Sequence, residues 1–288
     1  MIRLEDCTVT KPTLDDFEEP GKHAKLFIAY VSIAEIFGHI LTWRSKGGGD
    51  NGLRRNIANS LSCWIRDIPS ELKLYSEDGS LNTFDLLSSS IHIPYFVAVT
   101  ILHYQTDSGD NLRSSLTAAF IASSCMARIY EDFLARDEIR SLPALNSWYL
   151  LVAARAQFSC LANEKLEEAA KKNIKLLLLV LSELKKTWPT AAFVEENIIS
   201  ALQKYDDSKN GAEKGSKGLQ SHEDRLGILA DSSLGLMTDW ESYFPFGSQF
   251  WVEYEDVVSF HFPSPSFDVL HTEHDTNFLD FSMFADIQ

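Results

Sequence analysis

Positive charge is scarce in this sequence of 288 residues. It contains 26 lysines and arginines against 41 aspartates and glutamates, which gives a formal net charge of -15 at pH 7. Beyond Arg225 it contains neither lysine nor arginine. Proteins that hold DNA use these two residue types to neutralise phosphates. We therefore expect no direct contact between this chain and nucleic acid.

Cysteines and long uncharged apolar runs are also rare. No two cysteines form a C-x-x-C pair, so the sequence predicts neither a zinc module nor a dense disulfide framework. The four are Cys7, Cys63, Cys125 and Cys160. The longest apolar run, from Phe27 to Leu41, contains Glu35 and His39 and is too short to span a bilayer, and the N-terminus has no apolar signal core. These features predict a soluble protein of a reducing compartment with no membrane contact.

The common catalytic motifs are missing. The sequence has no G-x-S-x-G, no G-x-G-x-x-G after a strand and no H-E-x-x-H, so hydrolase, dinucleotide and zincin chemistry lack their starting residues. Metal-ligand residue types cluster at His271, Glu273, His274 and Asp275, in a segment with no scaffold to hold them, and we expect weak adventitious binding there at most. The sequence predicts no enzyme and no catalytic, cofactor or metal site.

Apolar residues recur at helical spacing over most of the first 205 residues. The stretch from Thr83 to Gln105 is apolar on almost every side, which is typical of a helix buried in a core. No segment up to residue 205 shows the clear alternation of a half-buried strand. Six further helices are predicted over residues 22–44, 51–71, 111–136, 143–160, 163–188 and 190–205. The prediction is an all-α, multi-helix domain.

The composition changes after residue 205. Residues 206–225 are polar and glycine-bearing and predict a flexible linker. Residues 226–288 interleave acids with large aromatics, which is typical of a largely irregular activation segment whose aromatics wait for a partner. For the stretch from Trp240 to Tyr254, the alternative is that its aromatics fold back onto the helical body. The candidate partner contacts are Trp240, Phe244, Trp251, Phe278, Phe281 and Phe284.

Several motifs resemble, in order along the chain, the fungal-specific transcription factor domain. This domain is the middle homology region of the Zn2Cys6 binuclear-cluster regulators, and the likeness is strongest to the cutinase transcription factor branch. The matching motifs are Arg3 to Val9, Pro12, Thr13 to Glu18, the helix from Leu26 to Leu41, Trp64 with Ile68 and Pro69, Ile91 to His103, Cys125 to Phe133, and Trp188 to Ala191. Pro94 and the lack of Arg-Pro after His103 depart from the family pattern. The resemblance covers roughly residues 1–205.

The resemblance implies a nuclear regulator of RNA polymerase II transcription. It makes residues 1–205 the C-terminal half of the regulatory domain, so the chain is either a truncated gene product or a partial gene model. Zinc is then expected only in a missing N-terminal DNA-binding domain. The body would transmit control and pair as a homodimer or heterodimer with related regulators, while the acidic tail would recruit coactivator. The alternative is a stand-alone helical adaptor that acts by pairing with other regulators.

Overall fold

The structure, a computed structural model, describes residues 11–104, 112–215, 240–251 and 254, with the backbone alone for residues 112–115, 210–215 and 240. The long α-helices in these ranges are α1 (Lys22–Ser45), α2 (Asn51–Asp67), α3 (Leu86–His103), α4 (Leu112–Ala135), α5 (Asn146–Phe158), α6 (Glu164–Leu184) and α7 (Thr190–Gly215), and residues 248–251 and 254 are helical as well. Short 3-10 helices lie at Leu14–Asp16, Ser70–Leu72, Ile139–Ser141 and Trp240–Tyr243. The described residues contain no strand, and the all-α prediction is confirmed.

Side-chain caps set the beginnings of three helices. The carboxylates of Asp50 and Asp85 accept hydrogen bonds from the first-turn amides of α2 and α3, at 2.9 and 2.7 Å. The side chain of Asn163 accepts from the Lys165 amide at 3.1 Å and begins α6. Each cap satisfies an amide that has no partner within its own helix, which is why these residues fix where the helices begin.

The seven helices form two layers. Each helix packs against the next one in sequence and, in most cases, also against the next but one. This arrangement places α1, α3, α5 and α7 side by side in one layer and α2, α4 and α6 in the other. Between α2 and α4, the 3-10 helix Trp240–Tyr243 contacts both. A segment from far along the chain therefore completes the second layer.

Helix α3 is the centre of the core. Most of its residues from Ser88 to His103 are buried, and Pro94 lies inside it. It packs against α1, α2, α4 and α5, most extensively against α4. A helix that is apolar all round needs neighbours on all sides, and this layering supplies them.

Two described helices, α1 and α3, are long and apolar enough to cross a membrane by length and composition alone. The apolar stretch of α3 is 83% buried inside the protein, whereas that of α1 is only 28% buried. A buried core helix passes the same test, so the result is weak evidence. The absence of membrane contact stays a prediction.

Helix α7 continues ten residues past the predicted end of the helical body. The sequence predicts a flexible linker from Asp206, but the helix runs to Gly215. Lys209 explains part of this difference, because its ammonium lies 2.6 Å from the Glu167 carboxylate of α6 and ties the extension to the body. The prediction of a linker is therefore wrong up to Gly215, and residues 216–225 lie outside the described part of the chain.

Candidate functional site

The most unusual feature of the fold is a segment that returns to the body from the acidic, aromatic C-terminal region. We call residues 240–251 and 254 the return segment. Its residues Tyr243, Phe244 and Phe250 are each only 1% exposed. They join the same apolar core as helices α1–α7. The return segment is therefore part of the folded body.

The receiving groove lies between α2, α4 and the loop at residues 73–82, with α3 as its floor. Aromatic rings line the contact. Phe244 stacks on Phe96 of α3 with ring centroids 6.3 Å apart, and Phe250 meets Tyr75 of the loop edge-on at 5.3 Å. Such pairs add specific geometry to the burial of apolar area.

Hydrogen bonds fix the register of the return segment. The Tyr95 hydroxyl of α3 donates to the Tyr243 carbonyl at 2.8 Å. The hydroxyls of Ser62 and Ser242 lie 2.7 Å apart, and the backbone amide of Gln249 donates to the backbone carbonyl of Asp78 at 3.2 Å. Because these bonds reach backbone atoms as well as side chains, they hold the 3-10 helix Trp240–Tyr243 and the helical residues 248–251 at a defined position in the groove.

The loop at residues 73–82 contacts the return segment through two glycines. Gly79 has a φ of +90°, and a Cβ atom there would lie 2.5 Å from the Gly247 carbonyl oxygen. The turn is held by Asp78, whose carboxylate accepts hydrogen bonds from Ser76 and Ser80. These bonds lower the pKa of Asp78 to about 2. The sequence shows this stretch only as a polar connection, yet Leu74 and Tyr75 within it are buried.

Buried cationic and imidazole groups lie beside the groove at the C-terminal end of α3. The guanidinium of Arg44 donates to the carbonyls of Ile101 and Tyr104, which complements the negative end of the helix dipole. Burial lowers the pKa of Arg44 and of Arg54. His103 meets the ring of Tyr243 edge-on at 5.1 Å.

His103, at the C-terminal end of α3, is in direct contact with the return segment through the ring of Tyr243. It is 1% exposed, and neither of its ring nitrogens has a hydrogen-bond partner among the described residues. Burial, and then the nearby charge of Arg54, lower its pKa to about 3. The ring is therefore neutral at physiological pH and serves as packing.

The remaining reactive groups of the core also hold structural positions. The ring of His92 lies 2.7 Å from the Ser88 carbonyl through Nδ1, and burial lowers its pKa to about 4. Burial raises the pKa of the Cys160 thiol, which keeps it protonated. Among the described residues, no three histidines, cysteines or acids come together as metal ligands. What the groove offers chemically is the binding of an aromatic peptide segment.

The six candidate partner contacts separate into three groups. Phe244 is buried and Trp251 is half-buried in the return segment. The prediction that Phe244 contacts a partner is wrong for the folded chain, because its ring is enclosed by aromatic side chains of the body and of the return segment itself. Trp240 is described only as backbone in a 3-10 helix, and Phe278, Phe281 and Phe284 lie outside the described residues.

Comparison with protein-family models, curated proteins and solved structures found no match for this chain.

Proposed function

We propose that this chain is the regulatory and activation part of a fungal transcription regulator that acts in the nucleus on RNA polymerase II genes. These 288 residues contain no zinc-cluster motif, so the regulator would reach DNA through another domain or another protein. The collinear resemblance of residues 1–205 to the fungal transcription factor domain motivates this proposal. The further proposal that it needs no cofactor and is no enzyme rests on the structural positions of its buried histidines and of Cys160.

The observation that best supports a regulatory role is the packing of the return segment on the helical body. This packing joins the C-terminal region to α2, α3 and α4 through Tyr243 and Phe244. A change in the body that loosened the groove would therefore alter how the acidic, aromatic region is presented. We assign coactivator recruitment to Phe278, Phe281 and Phe284, whose spacing of three residues could place them on one helical face when bound.

A reporter assay tests this function. The full chain is fused to a heterologous DNA-binding domain, and Phe278, Phe281 and Phe284 are replaced together with alanine. We expect activation of the reporter to fall at least about fivefold, because removing aromatic anchors from an interface commonly costs more than about 1 kcal/mol each. Phe193→Ala, an exposed aromatic of α7, is the matched control. Unchanged activation by the triple variant at equal protein level would refute the recruitment proposal.

The second candidate function is a stand-alone helical adaptor that pairs with other regulators. The exposed apolar side of α1 favours it, since an uncovered apolar surface is typical of a protein-interaction site. Co-purification with a full-length relative, together with no activation by the tethered chain, would distinguish this candidate from the first. Activation without any such pairing would exclude it.

A further inference from the structure

Two lysines on the outer side of α6 have no partner among the described residues. Lys172 and Lys175 are exposed, and neither forms an ion pair or a side-chain hydrogen bond within the part of the chain that the structure describes. Lys171 and Lys185 of the same helix, in contrast, each hold an ion pair with a glutamate. In a chain with a net charge of -15, two free ammonium groups one turn apart are a local positive charge that attracts an anionic group.

Exposed apolar side chains lie beside these lysines. Leu179, one turn after Lys175, is 57% exposed, and Ile199 of α7 is 40% exposed. The ion pair between Lys185 and Glu195, at 2.5 Å, fixes how the antiparallel helices α6 and α7 lie along each other. Leu179 precedes this pair by six residues on α6 and Ile199 follows it by four on α7, so the two lie at nearly the same level. We call these four residues the α6–α7 face: Lys172, Lys175, Leu179 and Ile199.

The complementary charge lies at the other end of the same chain. The first 225 residues contain 30 acids against 26 lysines and arginines, whereas residues 226–288 contain eleven acids and neither basic type. We call residues 268–288 the C-terminal segment. It holds five of these acids, interleaved with Phe278, Phe281 and Phe284. A segment that combines carboxylates with apolar rings matches a surface that combines ammonium groups with exposed apolar side chains.

The described part of the chain ends close to the helix that carries the two lysines. Tyr254, its last residue, contacts Cys125 of α4 with its hydroxyl 3.7 Å from the sulfur. The neighbouring Ser124 hydroxyl accepts a hydrogen bond from Asn173 of α6 at 3.2 Å, and Asn173 follows Lys172 in the sequence. The thirteen residues 255–267 can span up to about 40 Å, several times the distance between neighbouring helices. The C-terminal segment can therefore reach the α6–α7 face.

We propose that the C-terminal segment binds the α6–α7 face of its own chain. In this contact, carboxylates of the segment pair with the ammonium groups of Lys172 and Lys175, and its aromatic rings cover Leu179 and Ile199. The contact does not depend on a role in transcription, but it adds a step to the proposed function. A segment held in this way is withheld from a coactivator until the coactivator displaces it.

The segment of the same chain fits this face better than other occupants do. A net charge of -15 opposes nucleic acids and anionic membranes. A second copy carries the same segment, but a short tether holds the chain's own segment at an effective concentration of about 1 mM, roughly a hundredfold above a protein solution of about 10 µM. Binding within one chain therefore precedes binding between chains.

The contact is weak and sensitive to salt. Exposed ion pairs contribute little each, so we expect a dissociation constant of about 1 mM for the segment as a free peptide. At an effective concentration of about 1 mM, the tethered segment is then bound about half of the time. A coactivator that binds the same aromatics at micromolar concentration would displace it.

A photoreactive phenylalanine analogue in place of Phe281 of the full chain measures the contact. The protein is irradiated at about 10 µM, and the cross-linked peptides are identified by mass spectrometry. We expect capture at residues 168–182 of α6 or 195–203 of α7. An equal mixture of unlabelled and nitrogen-15 chains separates the two sources of the segment, because capture within one chain joins peptides of the same isotope.

Charge reversal tests the ionic part of the contact. We expect K172E/K175E to lower capture at least about threefold, and capture in the native chain to decrease with added salt. The matched control is K46E/K73E, which reverses two exposed lysines at the end of α1 and in the loop at residues 73–82. D275K/D280K should lower capture as well, whereas its combination with K172E/K175E should restore at least about half of the native yield, because the two charges are exchanged.

Leu179→Asp tests the apolar part of the contact. It places a carboxylate where an acidic segment binds, so we expect capture to fall at least about threefold. Leu41→Asp is the matched control, since Leu41 is 38% exposed on α1, at the other end of the helical layers. Circular dichroism and the urea midpoint of each variant check that the body still folds.

Four results would overturn the proposal. Capture could occur mainly outside α6 and α7, or join mostly peptides of different isotope, which would assign the contact to a second copy. K46E/K73E could lower capture as much as K172E/K175E does, or the exchanged charges could restore nothing. The reporter assay is independent of all four, so a failure of the recruitment proposal and a failure of this contact are distinguishable.

Discussion

At the scale of single residues, His103 shows how burial of an ionisable group makes folding stability decrease at acid pH. Its native pKa is about 3, whereas a solvated imidazole titrates near 6.5. The unfolded chain therefore takes up a proton at His103 as the pH falls below about 6.5, and the folded chain does not until about pH 3. Folding stability must decrease as the pH falls through this window, and it is fully present above it.

Replacing His103 with leucine should make the stability of the protein less sensitive to acid. Between about pH 6 and pH 4, the free energy of unfolding of the variant should fall less steeply than that of the parent, by up to about 1.4 kcal/mol per pH unit, the contribution of one proton. Urea titrations of both proteins at several pH values measure the two slopes. The contribution of His92 is common to both and cancels. Equal slopes would mean that His103 takes up its proton in the native state.

At the scale of elements, the turn at residues 76–80 and the return segment constrain each other. The φ of +90° at Gly79 lies in a region that side chains rarely adopt, and the Gly247 carbonyl occupies the space of a Cβ atom. We expect Gly79→Ala to destabilise the protein by about 2–4 kcal/mol, from backbone strain together with displacement of the return segment. Thermal or urea unfolding measures the loss.

Gly49→Ala is the matched control for that variant. A Cβ atom at Gly49 meets nothing within 4 Å, so the substitution should be neutral or stabilise by up to about 1 kcal/mol. If Gly79→Ala were as well tolerated as Gly49→Ala, the close contact between the two loops would not exist in solution.

The sequence predicts elements better than it predicts contacts between them. Apolar spacing and caps such as Asn163 locate all seven helices, because these signals depend on neighbours within a few residues. The groove is different, since Tyr95 and Tyr243 are 148 positions apart and nothing local connects them. Phe244 has acidic residues close to it in the sequence, as the aromatics of an activation segment do. It is buried because the return segment fits the space between α2 and α4, which the sequence does not show.

The prediction of a linker at residues 206–215 failed for a similar reason. These residues are polar, and their composition by itself predicts a segment exposed to solvent. Glu167 of α6 supplies the partner for Lys209, and the Tyr205 hydroxyl donates to the Leu161 carbonyl at 2.8 Å, immediately before the predicted linker. A tertiary contact thus stabilises a helix where composition alone predicts none.

At the scale of the whole molecule, the return segment makes distant parts of the chain one cooperative unit. The helical layers and Phe244 share a single apolar core, although about two hundred residues separate α1 from that ring. A segment that fills the gap between α2 and α4 should unfold together with them, and not before them. Loss of its packing should therefore lower the stability of the entire body.

Phe244→Ala tests this cooperativity. Removing a fully buried ring should cost about 3–5 kcal/mol, whereas Phe193→Ala, at an exposed site of α7, should cost less than about 1 kcal/mol. Unfolding in urea is followed in parallel by tryptophan fluorescence and by far-ultraviolet circular dichroism. For a single unit, both signals shift together to lower urea in Phe244→Ala. The helical signal could instead keep the urea midpoint of the parent while the fluorescence changed. The return segment would then unfold independently of the helical body, and the free energy needed to release it would be small enough for binding of a partner protein to supply.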